Sequence, residues 1–438
     1  MLKNIRTGLS PDIVVFCVIV FLADITAGVV SPTFSLFAQG LGASLALLGV
    51  LSTVGGVTQM LISLPFGMLS DRIGRSRVLL GGTVTFALAL LVMASARGLP
   101  LLIVSRILLG IASIATFQIG AAHLGDITTP TQRPFAFGLS TTAMGLGFTI
   151  GPVLGSELAQ YEGSRIAYVA GAAIAMVSVL VAWRVHRRQP SLSPTRAPSN
   201  GAQNVRNILT HGHLMLVSFG NLLMSFAFMG AITTYFPIYG ARVGLSQALI
   251  GSMFAIRALV STLGRLPNGI ISRTFGNQSV MLVALGIDLM VMFGIAHTSS
   301  AVMLSLLLGV DGLAYGAYLV SGQTFVADHT TVENRGAAVG VYSTASSIGA
   351  TVGPLSLGLV AASWGVPRVF VVTGGALTLG LVVSIIQTVA LRQRFSVENG
   401  RSVNVASADM NVTQMIGCLR SEGDDGVVAK RNVDTRPQ

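Results

Sequence analysis

The sequence predicts an all-α membrane protein of twelve transmembrane helices, arranged as two six-helix halves. Three observations carry this. The composition is too apolar for water, twelve apolar runs are each long enough to cross a bilayer, and one register of repeated residues joins the first half to the second. Of 438 residues, 52% are hydrophobic and 10% are charged, against about 25% charged in a soluble domain. The mean hydropathy is +0.74. The net charge of +11 sits mostly in short loops between apolar runs, and nearly all of it is arginine, Lys3 and Lys430 being the lysines. That distribution points to a lipid bilayer as the partner and not to nucleic acid.

A span needs about 20 apolar residues. Runs of that length lie at 12–38, 45–70, 77–96, 100–125, 135–159 and 165–186, then at 213–240, 247–271, 278–297, 300–326, 337–362 and 367–391. The expected organisation is an N-terminal half at 1–186, a polar linker at 187–212, a C-terminal half at 213–394, and a tail at 395–438. The linker carries Arg187, Arg188, Pro190, Pro194, Pro198 and Asn200, a composition that does not pack. The tail is polar and expected to be disordered. Lys3 and Arg6 before the first run mimic a signal peptide, but the run is too long for one and no Ala-x-Ala site follows, so it reads as the first span. Cys17 and Cys418 form neither a disulfide framework nor a metal site. No cofactor is expected.

Lys and Arg favour cytoplasmic loops. With the N-terminus inside, the inner loops hold fifteen basic residues, among them Lys3, Arg72, Arg75, Arg77, Arg133, Arg187, Arg273 and Arg335; the outer loops hold Arg97, Arg165, Arg242 and Arg368. Both termini and the linker are therefore expected in the cytoplasm, in a cell (inner) membrane. The Asn-x-Ser/Thr matches at Asn277 and Asn411 fall on that same side and read as chance.

Internal repetition is the strongest signal. At an offset of 202 residues, Pro65, Gly67, Ser70 and Gly74 align with Pro267, Gly269, Ser272 and Gly276. The same offset, without a gap, pairs Gly28 with Gly230, Gly42 with Gly244, Gly110 with Gly312, Asp126 with Asp328, Arg133 with Arg335, and Gly151-Pro152 with Gly353-Pro354. Each half is one six-helix unit, and a site of action is expected between them near mid-membrane.

The loop between spans 2 and 3 reads Gly67-Met68-Leu69-Ser70-Asp71-Arg72-Ile73-Gly74-Arg75-Ser76-Arg77. A tight basic loop that sets topology explains the arginines but not the acid among them. The loop closely resembles the Gly-x-Leu-x-Asp-Arg-x-Gly-Arg motif of the major facilitator superfamily of transporters, and the resemblance covers about residues 10–395. It implies a cytoplasmic gate built from Gly67, Asp71, Arg72, Gly74, Arg75, Asp126 and Arg133, with Asp71 against the positive start of helix 11 and Arg75 against Asp126. The second copy has Arg273 and Asn277 at the acid and arginine positions, so the latch is expected to be asymmetric. Ser105-Arg106-Ile107-Leu108-Leu109-Gly110 in span 4 is similar to the family's Arg-x-x-Gln-Gly pattern, with Leu109 in place of Gln. In span 5, Gly147, Gly151, Pro152 and Gly155 match a motif typical of the family's proton-coupled exporters. Physically these are helix-packing positions: small residues four apart let helices approach, and the proline bends one. The echo at Gly349, Gly353 and Pro354 shares that packing use.

Ionisable groups inside a span are costly and functional by default. Asp24, Arg106, Arg257, Asp288 and Asp311 lie in spans; Glu157 and Arg265 fall near span ends and are set aside. Asp24 and Asp311 are near mid-depth. In the resembled family, spans 1, 4, 7 and 10 line the central cavity, which makes Asp24, Arg106 and Asp311 the expected proton-coupling residues. Asp288 is then expected to partner Arg257. Arg106 either acts on Asp24 or snorkels to the outer interface. Tyr315 and Tyr318 share a helical face with Asp311 and, with Asn221, are the expected substrate-cavity residues. The expected function is secondary active transport: a monomeric, proton-driven antiporter exporting a small amphipathic organic compound. An uptake symporter or facilitator for a polar nutrient remains the alternative. Catalysis is disfavoured, because no nucleophile–base pair or His-rich cluster is visible and no phosphate-binding Gly-Lys loop suggests ATP as the drive.

Overall fold

A computed structural model describes residues 10–129, 131–188, 212–330 and 334–387. Its contacts form one unit over Met1–Ser384 and a second over Ile385–Gln438; of the second, 385–387 are described and are helical. The expected linker and tail lie almost wholly outside the described residues.

Among the described residues, twelve helices are long and apolar enough to cross a membrane. They are α1 (Pro11–Gly40), α2 (Leu45–Ile73), α3 (Arg75–Ser95), α4 (Leu99–Asp126), α5 (Arg133–Tyr161), α6 (Ser164–Arg188), α7 (Gly212–Arg242), α8 (Gln247–Phe275), α9 (Asn277–Ala296), α10 (Ala301–Asp328), α11 (Arg335–Trp364) and α12 (Val366–Gln387). Helices satisfy every backbone group internally, as a lipid environment demands. Serines close their starts: Ser10, Ser44 and Ser246 accept from Ile13, Leu47 and Leu249 backbone N–H groups at 3.4, 3.3 and 3.2 Å, the usual N-cap bond. The chain reverses tightly through glycines of positive φ, and these obey the 202-residue register. Gly42 and Gly244 have φ of 90° and 87°, Gly74 and Gly276 96° and 83°, and Gly163 and Gly365 93° and 88°. A side chain at these positions is strained.

The repeat extends to packing. A methyl on Gly110 would meet the Gly55 carbonyl oxygen of α2 at 2.9 Å, and Gly312 packs likewise on the Arg257 carbonyl of α8, each residue shifted by the same offset. Gly147 and Gly151 lie on the Phe21 and Ile25 carbonyls of α1, and a methyl on Gly155 would sit 2.6 Å from the Val29 carbonyl oxygen. Gly349 and Gly353 meet the Leu222 and Phe226 carbonyls of α7 in the same way.

Two stretches depart from α geometry, Ile114–Gln118 in α4 and Phe226–Tyr235 in α7, both wound as π-helix. The first carries neither Pro nor Gly; the second contains Gly230 and ends two residues before Pro237. Such turns add a residue to the helical turn and recur at functional sites.

Candidate functional site

The halves meet along α2–α11 and α5–α8, and they are joined most tightly at the end away from the basic loops. Thr53 donates to the Thr351 carbonyl at 2.9 Å, Tyr235 to the Leu45 and Pro354 carbonyls at 3.2 Å each, and the Ala248 N–H to the Gln160 side chain at 2.8 Å. Gly49 faces Pro354 and Gly358, while Gly251 faces Ser156. At the basic end of the same four helices, methyl groups on Gly67, Gly138, Gly269 and Gly340 would meet nothing within 4 Å among the described residues. The four helices are thus packed at one end and spread at the other.

Two cavities lie between the halves. The first, about 330 Å³, reaches from mid-depth toward the basic end and is lined by Asp24, Phe148, Phe228, Arg257, Arg265, Tyr315 and Gln323 among others. The second, about 230 Å³, lies toward the packed end around Arg106, with Gln59, Phe86 and Thr233 in its wall. Phe148 of α5 and Phe228 of α7 line both, so the two volumes adjoin at an aromatic partition.

Asp24 is 8% exposed, about 20 Å along α1 from its start, and its Oδ2 has no hydrogen-bond partner among the described residues. The cation whose charge acts on it is Arg265. Arg265, set aside as close to a span end, is in fact a cavity residue. The apolar run stops near 271, but α8 continues to Phe275, which places Arg265 about 15 Å inside the helix.

Arg257 forms a buried ion pair with Asp311, the side chains being 4% and 3% exposed. This corrects the expected Arg257–Asp288 pairing. Gly312 brings α10 against α8 at that level. The Arg257 guanidinium also lies over the Phe228 and Tyr315 rings, 3.9 and 5.1 Å from their centroids, a favourable placement for a cation. Asp288 of α9 is buried next to the pair, close to both Asp311 and Arg257.

Arg106 points into the second cavity. Its Nε donates to the Leu51 carbonyl at 3.2 Å, and its guanidinium lies 4.1 Å from the Phe34 ring centroid. It and Asp24 line different cavities, so no contact joins them as envisaged. Tyr315 lines the first cavity with Leu319 and Gln323, residues one helical turn apart. Tyr318 does not; it is 60° round the helix from Tyr315 and donates to the Val217 carbonyl of α7 at 2.9 Å. Asn221 is also a packing residue, donating to the Tyr342 carbonyl of α11 at 3.0 Å.

At the basic end, Arg75 bonds Asp126 at 2.8 Å and Asp71 at 3.4 Å, and also donates to the Ala122 carbonyl at 2.8 Å. The Asp71 side chain is 55% exposed. Arg133 donates to the Gly125 carbonyl at 3.1 Å, Arg72 is exposed, and Gly74 makes the turn. The side chain of Arg335, where helix 11 begins, lies outside the described residues.

A family model of the Major Facilitator Superfamily matches residues 16–312 and 243–408. The multidrug resistance protein MdtG of Salmonella choleraesuis (strain SC-B67) is 26% identical over 308 residues, covering 68% of this chain and 74% of that protein. Among solved structures, the nucleoside transporter NupG superposes with a TM-score of 0.71 at 17% identity, covering 86% of this chain and 99% of that one. A bacterial homologue of the human lysosomal transporter Spinster, in an inward-facing and occupied conformation, gives 0.74 at 16% identity, covering 86% and 96%. Twelve membrane-spanning helices, packing that repeats at the sequence offset, cavities between the halves and a family match over most of the chain converge: this protein is an integral membrane protein of the Major Facilitator Superfamily.

Proposed function

We propose that the protein is a proton-driven antiporter that exports a small amphipathic organic compound from the cytoplasm by alternating access. The observation that carries the reading is the pair of adjoining cavities walled by both halves, with an unpartnered carboxylate, Asp24, in one of them. A carboxylate at that depth is unfavourable without a partner, and a proton supplies one.

The Lys/Arg asymmetry places the basic end in the cytoplasm of a cell (inner) membrane. On this reading the packed end faces outward and the spread end opens toward the cytoplasm. Substrate enters there, against Phe148, Phe228 and Tyr315. Asp24 holds the proton in one state and gives it up in the other. Asp288, buried beside the Arg257–Asp311 pair, offers a second carboxyl to hold a proton, and the Arg257 guanidinium reaches the cavity. When the halves rock, Gly67, Gly138, Gly269 and Gly340 close together, and Asp71 docks on the start of α11 while Arg75 and Asp126 keep the loop in shape. The name of the relative MdtG favours export of foreign compounds over nutrient uptake.

The test is a screen of compounds on purified protein in liposomes with an acidic lumen. Accumulation driven by the outward proton gradient, and lost when the gradient is collapsed, supports antiport. Accumulation only under the inverted gradient identifies a symporter and overturns it.

A further inference from the structure

We propose that the Arg106 cavity binds the head group of the cargo, and that the cargo is therefore an amphipathic organic anion: a monovalent oxyanion such as a carboxylate or sulfonate on an apolar or aromatic body. This rests on the transport reading for the word cargo, but the site stands on its own geometry.

The cavity sets a few built polar groups in a mostly apolar wall. Arg106 enters it about 10 Å along α4 from the outer start of that helix. It is held on one side by the Phe34 ring and by the Leu51 carbonyl, so its direction is fixed and it does not reach for the lipid interface. No carboxylate is among the residues that line the cavity. Two further lining side chains, Ser31 of α1 and Thr233 in the π-turn of α7, bury hydroxyls with no hydrogen-bond partner among the described residues. They come from opposite halves. A guanidinium and two hydroxyls without partners are what an oxyanion satisfies, the guanidinium offering a fork of parallel donors.

The charges around both cavities point the same way. Three guanidinium groups, Arg106, Arg257 and Arg265, face three acids, Asp24, Asp288 and Asp311. Arg257 is paired with Asp311 and Arg265 acts on Asp24, which leaves Arg106 without a carboxylate among the residues that line its cavity. An uncompensated cation in a span is costly, and a bound anion removes the imbalance. The anion's body has a place as well: Phe86, Phe148 and Phe228 also line the cavity, and the aromatic partition leads into the larger one.

The experiment uses two probes with the same ring and opposite fixed charge, 2-naphthalenesulfonate and 2-naphthyltrimethylammonium, so that the ligands do not titrate. Equilibrium binding of each in radiolabelled form is measured on purified full-length protein. The sulfonate is expected to bind saturably and more tightly than the ammonium. Arg106→Gln is expected to weaken it by roughly 10- to 150-fold, the range for one charge-assisted contact. Arg106→Lys, which keeps the charge and loses the fork, should fall between. A preference of the unaltered protein for the ammonium overturns the proposal, as does no saturable sulfonate binding by monodisperse protein, or Arg106→Gln binding as tightly as the original. Because binding needs no gradient, sulfonate that binds through Arg106 but is never moved leaves the site standing and removes the transport reading.

Discussion

Asp288 is a reserve counter-ion for Arg257, and removing the two acids of the cluster should therefore be strongly non-additive. Arg257 and Asp311 are 4% and 3% exposed on their side chains, and Asp288 is 1% exposed. Stripping the partner from a buried charge costs about 3–5 kcal/mol. In Asp311→Asn that cost is not realised in full, because the neighbouring Asp288 carboxyl is close enough to Arg257 to take over the pairing. The remaining loss is that of one bond to a charged group, about 1.5–3 kcal/mol. Asp288→Asn leaves the Arg257–Asp311 pair in place and should cost under about 1 kcal/mol. The double variant leaves Arg257 alone on the Phe228 and Tyr315 rings and should lose about 3–5 kcal/mol, exceeding the sum of the singles by about 1–2 kcal/mol. Adding Arg257→Leu should then restore much of the loss. Thermal unfolding of the detergent-solubilised protein reads all four variants. If Asp311→Asn alone melts as low as the double variant, or if the singles add, Asp288 is no substitute and the reasoning is wrong.

Other expectations follow from the cavities and the helix contacts. Asp24→Asn should abolish gradient-driven accumulation in liposomes while saturable binding of 2-naphthalenesulfonate remains measurable; accumulation that survives removes Asp24 from coupling. With Cys17 and Cys418 replaced, a cysteine at Thr141 in the first cavity reports access from the basic end. Asp71→Asn should raise its labelling by a membrane-impermeant maleimide in inside-out vesicles, and unchanged labelling would make the loop a topology signal alone. Gly155→Ala drives a methyl to 2.6 Å from the Val29 carbonyl oxygen and should cost about 1–3 kcal/mol in melting experiments. Gly67→Ala meets nothing among the described residues, so it should leave the melting temperature unlowered and slow turnover by obstructing closure.

Much of the fold was legible because a bilayer imposes a length and a hydropathy that short windows of sequence reveal. The 202-residue register was legible because its glycines perform backbone tasks no other residue performs easily, as the positive φ of Gly74 and Gly276 shows. The site was less so. Arg265 was passed over because α8 outlasts its apolar run by one turn, the polar stretch Ser272-Arg273-Thr274 remaining helical. The Asp288–Asp311 contact joins residues 23 positions apart on adjacent helices, and depends on the rotation of α9 and α10 about their own axes. Hydropathy does not encode that rotation. Helical spacing placed Tyr318 with Tyr315, yet a 60° difference turns one ring to α7 and the other to the cavity. The π-turns of α4 and α7 change such angles locally; that of α4 has no Pro or Gly, while that of α7 holds Gly230 and ends two residues before Pro237.

The central claim, that substrate moves outward as protons move inward through one set of cavities, is tested most directly by following the protons. Liposomes holding the protein and a lumenal pH dye are prepared with an acidic interior, and 2-naphthalenesulfonate is added outside at higher pH. The account predicts a rise in lumenal pH that starts on addition of the probe, tracks its accumulation, and is absent in Asp24→Asn. Probe accumulation with no change in lumenal pH, or with a rise undiminished in Asp24→Asn, would contradict it.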